Sequence, residues 1–278
     1  MKIKSKWILI GISGVFLFFM LVLPLISVII NSLKEGFGFY FQSLASPTVV
    51  SALGVTVLAA VIAVVVNTIF GIAAAWLITR FSFKGKQILS AVIDIPFSIS
   101  PVIAGLAFLM TFGRMGWAGG LIARLNEALG TNIQIVFAIP GVVLATVFVT
   151  FPFVSREIIP VLLSVGKEEE EAAALMGADG FTIFRKITFP HIRWALLYGV
   201  ILCTARALGE FGAVHALSKT RGETFTLPLE IDALYLSNSS ESITSAFAVS
   251  SILVLMAVAV LIIRNIAEHQ AKKNEENH

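Results

Sequence analysis

The feature that most constrains this chain is the run Val49–Ile78, which is apolar and contains no charged residue. A helix needs about 20 apolar residues to cross the hydrocarbon core of a bilayer. Charged residues make up 13% of the whole chain, whereas a typical soluble domain has about 25%. The run therefore predicts a membrane-spanning helix, and the composition indicates that other such helices accompany it.

Six runs in all are long enough to span a membrane. They are Trp7–Ile30, Val49–Ile78, Ile88–Phe112, Ile135–Val154, Trp194–Leu217 and Ile243–Ile263. The first follows Lys2, Lys4 and Lys6, as the apolar core of a signal peptide would. Such cores have only about 7–15 residues and precede a small-residue cleavage site. The run Trp7–Ile30 is longer than such a core, so we expect a retained helix. The sequence predicts an all-α, polytopic membrane protein with six transmembrane helices.

Lys and Arg residues are distributed unevenly between the segments that connect these helices. With the N-terminus inside, the inner segments are 1–6, 79–87, 155–193 and 264–278, and they hold 14 basic residues against 5 in the outer segments. Basic residues favour the cytoplasmic side. We expect both termini and segment 155–193 to be cytoplasmic. The net charge of +3 is then a consequence of this topology. We expect the lipid bilayer as a partner and no nucleic acid.

The segment EEEEAAALMGADGFTIFRKITFP, residues 168–190, is unusually charged for this chain. Its four leading carboxylates, which follow Gly166, predict the first turn of a helix because they complement the positive end of the helix dipole. Ala172, Leu175 and Met176 recur on one face of that helix, as the helical period requires. The next residues, Gly-Ala-Asp-Gly, predict a turn.

A second short helical pattern follows this turn. Phe181, Phe184 and Ile187 recur every three residues, and Pro190 marks a helix boundary. The apolar stripes of these two helices must be covered either by the membrane surface or by another protein. A helix lying on anionic lipid is typically basic, whereas this segment begins with acids. The charges therefore favour a groove in a protein partner.

The third run contains DIPFSISPVIAG, with Pro96, Pro101, Ser98 and Ser100. Prolines in membrane helices are tolerated where neighbouring helices or a wet cavity satisfy the freed backbone groups. One interpretation is a kinked structural helix. The other is a broken helix that lines a solute pathway, with the two serines facing the solute.

Arg206 and Glu210 are the exceptional residues of the fifth run, and they are four residues apart. This spacing predicts a common helix face. Ionisable groups inside a span either pair with each other or mark a pathway. The two hypotheses are a mutual ion pair that fixes the helix in the bundle, and a pathway in which Arg206 helps to accommodate an anion.

The sequence lacks the motifs that would indicate an enzyme. It contains no GxxxxGK[ST] phosphate loop, the motif that cradles nucleotide phosphates. The four histidines have no metal-ligand spacing, and Cys203 is the only cysteine. We expect no catalytic residues, no metal site and no cofactor on this chain.

The charged segment also resembles the EAA motif, which marks the permease subunits of binding-protein-dependent ABC importers. The matching residues are Glu171, Ala172 and Ala173, then Gly177, Ile187 and Pro190. Phe189 stands where leucine is commoner. Further segments are similar to the W subunits of the sulfate/thiosulfate permeases. These segments are Ala74–Leu106, Thr150–Ser164, His191–Val200, Ala205–Val214 and Arg221–Asp232.

This resemblance implies a type I ABC importer permease fold and a loop that couples the permease to its ATPase. The coupling residues implied are Glu171, Ala172, Ala173, Gly177, Ala178, Asp179, Phe184, Ile187 and Pro190. It also implies residues 1–48 as an N-terminal segment with the first helix, 49–265 as the transmembrane domain with its coupling loop within 155–193, and 266–278 as a polar cytoplasmic tail.

The partners that the resemblance implies are a second permease subunit, two ATPase subunits and an extracytoplasmic anion-binding protein. ATP and Mg²⁺ would bind to the ATPase subunits. The second permease would be a distinct chain, with a second copy of this chain as the alternative. The implied function is ATP-driven import of sulfate or thiosulfate across a bacterial cytoplasmic membrane. The alternatives are a molybdate or tungstate importer, an ion-coupled anion transporter or channel, and a polytopic membrane enzyme.

Overall fold

The computed structural model describes residues 3–275 of the chain, and every regular element within that range is helical. The first seven helices are α1 (Ile3–Leu17), α2 (Leu23–Ser32), α3 (Gly36–Leu44), α4 (Pro47–Arg80), α5 (Lys86–Ser98), α6 (Pro101–Phe112) and α7 (Trp117–Leu129). The next four are α8 (Ile139–Thr150), α9 (Pro152–Val165), α10 (Glu168–Leu175) and α11 (Gly180–Ile183). The last four are α12 (Phe189–Leu208), α13 (Gly212–Leu217), α14 (Leu227–Leu236) and α15 (Ser240–Glu275). Short π-helical segments, Phe18–Val22 and Phe184–Thr188, join α1 to α2 and α11 to α12.

Five helical stretches in the described residues are long and apolar enough to cross a membrane. They are Leu9–Ser32, Pro47–Arg80, Ile139–Val165, Gly180–Leu208 and Ser240–Ile266. A sixth crossing requires α5 and α6 together, and these two helices are bent by 109° relative to each other. The prediction of an all-α membrane protein is confirmed, and the third span is a broken helix rather than a kinked one.

The core of the fold is a set of three packed rods: α4, the continuous pair α8–α9, and α12. Asn67 of α4 donates a hydrogen bond to Thr150 at 2.8 Å, and Arg80 at the end of α4 donates to the carbonyl of Leu162 at 2.8 Å. These contacts show that α4 and α8–α9 run parallel. The chain that connects these two rods must therefore cross back from the end of α4 to the start of α8, and α5 and α6 make that crossing.

Helix α12 runs antiparallel to the other two rods, and small residues bring it close to them. Val154 of α9 lies between Gly71 of α4 and Gly199 of α12. A Cβ atom added to Gly71 would lie 2.9 Å from the Val154 Cβ, and one added to Gly199 would lie 2.9 Å from the Val154 Cα. Glycine at membrane-helix contacts permits this approach of backbones.

The fifth span differs from its prediction, Trp194–Leu217. Its helix begins at Gly180 and ends at Leu208, and Gly212–Leu217 forms a separate helix. Pro190 lies in the first turn of α12, so the predicted boundary is a change from a π-helical to an α-helical turn within one continuous span. The π-helical turn Phe184–Thr188 precedes this proline, and such a wide turn relieves the clash that a proline ring makes with the carbonyl four residues earlier. Hydropathy did not predict this earlier start because the first turns carry charged side chains.

The connection between α9 and the next long helix is consequently shorter than the predicted inner segment, residues 155–193. Helix α9 continues to Val165 and the next long helix begins at Gly180, so the connection consists of residues 166–179. Gly166 ends α9 with φ +79°, and Glu168–Glu171 occupy the first turn of α10, as predicted. The predicted tail 266–278 continues α15 as far as Glu275. Its last three residues, like Lys2, lie outside the described residues.

Candidate functional site: an inter-helix loop and two ion pairs

The base of the loop is held by Glu170, one of its four consecutive carboxylates. The Glu170 carboxylate lies 2.8 Å from Nε of Arg80 at the end of α4, and it accepts a hydrogen bond from the Thr188 hydroxyl at 2.8 Å. Lys167 donates to the carbonyl of Arg80 at 2.8 Å. Arg80 also binds the Leu162 carbonyl. Helix α10 is therefore tied to the ends of α4, α9 and the π-helical turn.

The turn after α10 requires glycine at position 177. The amide of Ala178 donates to the carbonyl of Ala173 at 3.0 Å, and the amide of Gly177 donates to that of Ala174 at 3.0 Å. Gly177 has φ +86°. This pair of bonds around a left-handed residue is a Schellman motif, which ends helices and favours glycine. Glycine at this position is therefore needed for the conformation of the turn itself.

The tip of the loop is apolar and exposed. We define the tip as Leu175, Met176 and Phe181, whose exposed fractions are 91%, 82% and 70%. Ala172, predicted on the same face as Leu175 and Met176, is also exposed, whereas Ala173 is buried. Large apolar groups in a connecting segment, rimmed by polar residues, are typical of a surface that binds a partner.

The other loop residues singled out in the sequence occupy different environments. Phe184 points into the chain, with its ring 6.0 Å from that of Trp76. Glu171 and Pro190 are exposed, and Ala178 and Ile187 are half-buried.

Asp179 precedes α11 at its N-terminal boundary without forming a side-chain cap. The hydrogen-bonding Thr182 side chain nevertheless lowers the pKa of the Asp179 carboxyl, so the loop keeps this negative charge.

Arg206 and Glu210 form the ion pair that their spacing predicts. The Arg206 Nη1 and a Glu210 carboxylate oxygen are 2.7 Å apart, and the Glu210 side chain is 1% exposed. They do not share one helix, because α12 ends at Leu208 and Glu210 lies in the turn before α13. The second carboxylate oxygen of Glu210 accepts a hydrogen bond from the amide of Ala213 at 2.8 Å. The pair thus joins the end of α12 to the start of α13.

A second ion pair joins α5 to α9. Nε of Arg156 lies 2.8 Å from Oδ1 of Asp94, and the two side chains are 50% and 41% exposed. The Arg156 guanidinium also lies over the ring of Phe97, 4.4 Å from its centroid. The α5–α6 break follows immediately, and Ser98 and Ser100 beside it are both exposed.

The sequence did not indicate the ion pairs that Arg156 and Glu170 form. The sequence predicts Arg156 in the segment 155–193, and the structure adds that it lies in α9, within the candidate span Ile139–Val165. Its partner Asp94 lies inside the third apolar run, and a carboxylate in such a run was the available signal for an ion pair. Glu170 could not be distinguished from its three glutamate neighbours, because only the tertiary fold brings Arg80 to it.

Among the described residues, no three His, Cys, Asp or Glu side chains cluster in a way that could hold a metal ion. Cys203 is buried beside Asn67 and Thr150. The geometry instead combines a bundle of membrane-length helices, a broken helix and an exposed loop tip.

Comparison with protein families shows to which family this helical bundle belongs. Residues 67–273 match the family described as "Binding-protein-dependent transport system inner membrane component". The chain belongs to this family. The match includes the whole charged loop, both ion pairs and the broken helix, so these features lie within the family's domain.

Similar proteins extend the match over nearly the whole chain. The sulfate transport system permease protein CysW of Escherichia coli (strain K12) is 46% identical over 99% of this chain and 94% of that protein. CysW of Synechocystis sp. (strain ATCC 27184 / PCC 6803 / Kazusa) is 42% identical over 96% of this chain and 94% of its own length. Sulfate permease 2, chloroplastic, of Chlamydomonas reinhardtii is 40% identical over 96% of this chain and 70% of that protein.

Solved structures share the fold at much lower sequence identity. A chain of a bacterial alginate ABC transporter in complex with an alginate pentasaccharide-bound periplasmic protein superposes with a TM-score of 0.77 and 18% identity. That match covers 98% of this chain and 96% of the other. A chain of the MetNI methionine ABC transporter gives a TM-score of 0.54 at 18% identity, over 79% and 92% of the two chains. The chain thus has the fold of ABC importer permeases.

Proposed function

We propose that this chain is the membrane-spanning permease subunit of an ATP-driven importer for sulfate and thiosulfate. The observation that carries the proposal is its 46% identity to a sulfate permease over 99% of the chain. Similarity that extends through every span, rather than one motif, favours the same class of solute. Molybdate and tungstate are tetrahedral dianions of similar charge, and the transport assay must distinguish them.

In this proposal the chain forms the translocation pathway together with a second, distinct permease subunit in the bacterial cytoplasmic membrane. Both termini face the cytoplasm, residues 49–265 form the transmembrane domain, and residues 266–278 form the cytoplasmic tail. An extracytoplasmic protein binds the anion and delivers it. Two ATPase subunits bind ATP and Mg²⁺ and hydrolyse the nucleotide, because this chain has no phosphate-binding loop of its own.

The coupling element in this proposal is the loop of residues 166–179 with the following turns. Its exposed tip would enter a groove of the ATPase, and its base, held by Glu170 and Arg80, would transmit the movement of the ATPase to α4 and α9. A rigid base is needed because a loosely held loop would absorb the displacement. The predicted coupling residues divide accordingly into exposed contacts, such as Glu171 and Ala172, and inward anchors, such as Phe184.

The test is uptake by the purified complex in proteoliposomes. The wild-type complex should retain a P-loop ATPase, and it should accumulate labelled sulfate only with ATP and the binding protein present. Unlabelled thiosulfate should compete with sulfate, and molybdate and tungstate should compete more weakly. Uptake driven by an ion gradient without any ATPase would contradict the proposal, and stronger competition by molybdate would reassign the solute.

A further inference from the structure

Asn67 is a polar side chain in the middle of the apolar run Val49–Ile78, and it is fully buried. Its amide nitrogen donates to the Val147 carbonyl at 3.2 Å and to the Thr150 hydroxyl at 2.8 Å. Both acceptors belong to the last turn of α8. Buried polar side chains in helical membrane proteins hydrogen-bond to groups of neighbouring helices. Asn67 does so for a backbone carbonyl as well as for a side chain.

The Val147 carbonyl accepts from a side chain because the backbone ladder is interrupted where α8 meets α9. In an unbroken helix each amide donates to the carbonyl four residues earlier, so the Phe151 amide would donate to Val147. Pro152 has no amide hydrogen for the Phe148 carbonyl, and the Phe151 amide donates to Phe148 instead, at 3.3 Å. Val147 thereby loses its backbone donor inside the bundle. The Asn67 amide replaces the missing backbone hydrogen bond.

The interruption lies between two separately packed parts of the rod α8–α9. Before it, α8 packs against α13 and the first half of α4 through Val142, Ala145 and Val149. After it, α9 packs against α12 and the second half of α4 through Val154, Ile158 and Leu162. The loop of residues 166–179 follows α9. Along this rod, a displacement of the loop therefore reaches α8 and α13 through the interruption.

A joint of this kind is a place where two helices can change their angle. Sharp bends occur at prolines and where a side chain enters the backbone ladder, because fewer backbone hydrogen bonds must break there. Helix α4 runs unbroken past the joint. Asn67 therefore holds the end of α8 at one point of a continuous rod.

The other atom of the Asn67 amide is not satisfied in this arrangement. Within residues 3–275, no group donates to its buried Oδ1, and an unpaired buried acceptor is costly. The nearby Thr150 hydroxyl donates to the Thr146 carbonyl at 2.6 Å. If the joint bends, this hydroxyl can turn to the Asn67 oxygen. The joint thus has a second arrangement with its own hydrogen bond.

We propose that Asn67 is a positioning residue that sets the angle of the α8–α9 joint, and that transport requires this joint to bend. The inference rests on the proposed function, since it needs a cycle driven by an ATPase that moves the loop. The joint passes the movement of α9 to α8 and α13. Asn67 holds the joint at one angle until the loop is displaced.

The first experiment stiffens the joint with Pro152→Ala. An amide at position 152 allows a continuous backbone ladder, so two more backbone hydrogen bonds must break when the joint bends. ATP-dependent sulfate uptake per assembled complex in proteoliposomes should fall about fivefold or more. The matched control is Pro160→Ala, because Pro160 is exposed and lies inside α9 of the same rod. Its uptake should stay within about twofold of wild type, and equal uptake by the two variants would overturn the proposal.

The second experiment removes the hold on the joint with Asn67→Leu. ATP hydrolysis without the binding protein should rise about fivefold, since a side-chain hydrogen bond no longer favours one angle, and sulfate transported per ATP should fall. A residue that only stabilises the bundle would lower uptake and ATP hydrolysis in parallel, and that result would overturn the proposal.

Three threonine variants provide the matched comparison. Thr150→Val should change ATP hydrolysis in the same direction as Asn67→Leu, and Thr150→Ser, which keeps the hydroxyl, should stay within about twofold of wild type. Thr146→Val is the control, because Thr146 is also buried in α8 and its hydroxyl donates to the Val142 carbonyl at 2.8 Å. Equal effects of Thr150→Val and Thr146→Val would count against the joint.

The double variant Asn67→Leu with Pro152→Ala tests whether Asn67 serves the interrupted ladder. With the ladder closed, the Phe151 amide can donate to Val147, so the loss of Asn67 should add little. ATP hydrolysis without the binding protein should then be within about twofold of that of Pro152→Ala alone. A fivefold rise in both backgrounds would show independent sites and would overturn the proposal.

These outcomes are distinguishable from failure of the proposed function. If the wild-type complex does not accumulate sulfate, the solute assignment fails, and ATP hydrolysis still tests the joint in the same variants. If the wild-type complex accumulates sulfate and Pro152→Ala equals Pro160→Ala, only the joint assignment fails. Subunit amount in the membrane and ATPase retention are measured for each variant, so that every rate is expressed per assembled complex.

Discussion

The ion pairs Arg206–Glu210 and Asp94–Arg156 differ in how the chain encloses them. Glu210 of the Arg206–Glu210 pair is 1% exposed and also accepts a backbone hydrogen bond. Asp94 and Arg156 are both half-exposed and join two separate helices. An enclosed pair is costly to break and stabilises one arrangement of helices, whereas a half-exposed pair contributes about 0–1 kcal/mol. Enclosure therefore decides how much each ion pair is expected to stabilise the fold.

The loop shows the same contrast over a shorter distance. Glu170 at its base is enclosed by Arg80 and Thr188, and the tip residue Met176 is 82% exposed. We infer that the base fixes the position of the loop and that the tip contacts the partner. Three substitutions test this division between enclosed and open groups, and each has a matched control elsewhere in the chain.

The largest effect is expected for Arg206→Ala. It leaves Glu210 buried without its counter-ion, and breaking such a pair costs about 3–5 kcal/mol. The amount of folded subunit in the membrane, measured by blotting and by the thermal unfolding midpoint, should fall sharply. Arg264→Ala is the control, because Arg264 has a similar exposure and also pairs at i,i+4, but its partner Glu268 is 42% exposed. An abundant, folded Arg206→Ala complex that fails only in uptake would assign Arg206 to the pathway.

An intermediate effect is expected for Glu170→Gln. Hydrogen bonds to charged groups contribute about 1.5–3 kcal/mol, and this substitution weakens those that join Arg80 and Thr188 to α10. The complex should assemble, and its ATP hydrolysis should no longer be tightly coupled to uptake, measured as anion transported per ATP. Glu169→Gln is the control, because Glu169 is exposed and, within residues 3–275, pairs with the half-exposed His191 at 2.9 Å. Equal coupling ratios in the two variants would count against the rigid base.

The smallest effect on the fold is expected for Met176→Glu, because its side chain contacts no core. Burying a methionine at an interface is worth about 1.5–3 kcal/mol, so ATPase retention on the purified complex should fall about tenfold while the unfolding midpoint is unchanged. Met115→Glu is the control, since Met115 is also fully exposed but follows α6. Undiminished ATPase retention would place the docking surface elsewhere.

Gly177 illustrates why the tip is better probed at Met176. The sequence motif suggests a small residue for close approach, and a bulky replacement would test that idea. The structure adds φ +86° at this position, where any L-residue is strained. A tryptophan at Gly177 would therefore disturb the turn and the contact together, whereas position 176 is an ordinary helix end.

Length and hydropathy alone determined the class of this protein, because no soluble fold can accommodate apolar runs such as Val49–Ile78. The spacing from Glu171 to Pro190 was sufficient to predict a helix, a turn and a second helix in this segment, since its carboxylates, glycine and apolar residues act locally. Helix ends were less predictable where charged residues lie within helices. Arg156 lies within α9 and His191 within α12 because their side chains pair with Asp94 and Glu169 on other parts of the fold.

Only the tertiary structure decided which charges are enclosed and which are open. Arg156 and Asp94 are far apart in sequence, as are Glu170 and Arg80, so no local pattern connects them. The bend between α5 and α6 likewise depends on where α6 packs, against α13 at Gly105 and Ala213. The sequence determines the chemistry of each side chain, but exposure is a property of the packed bundle, and exposure decides how strongly an ion pair stabilises the fold.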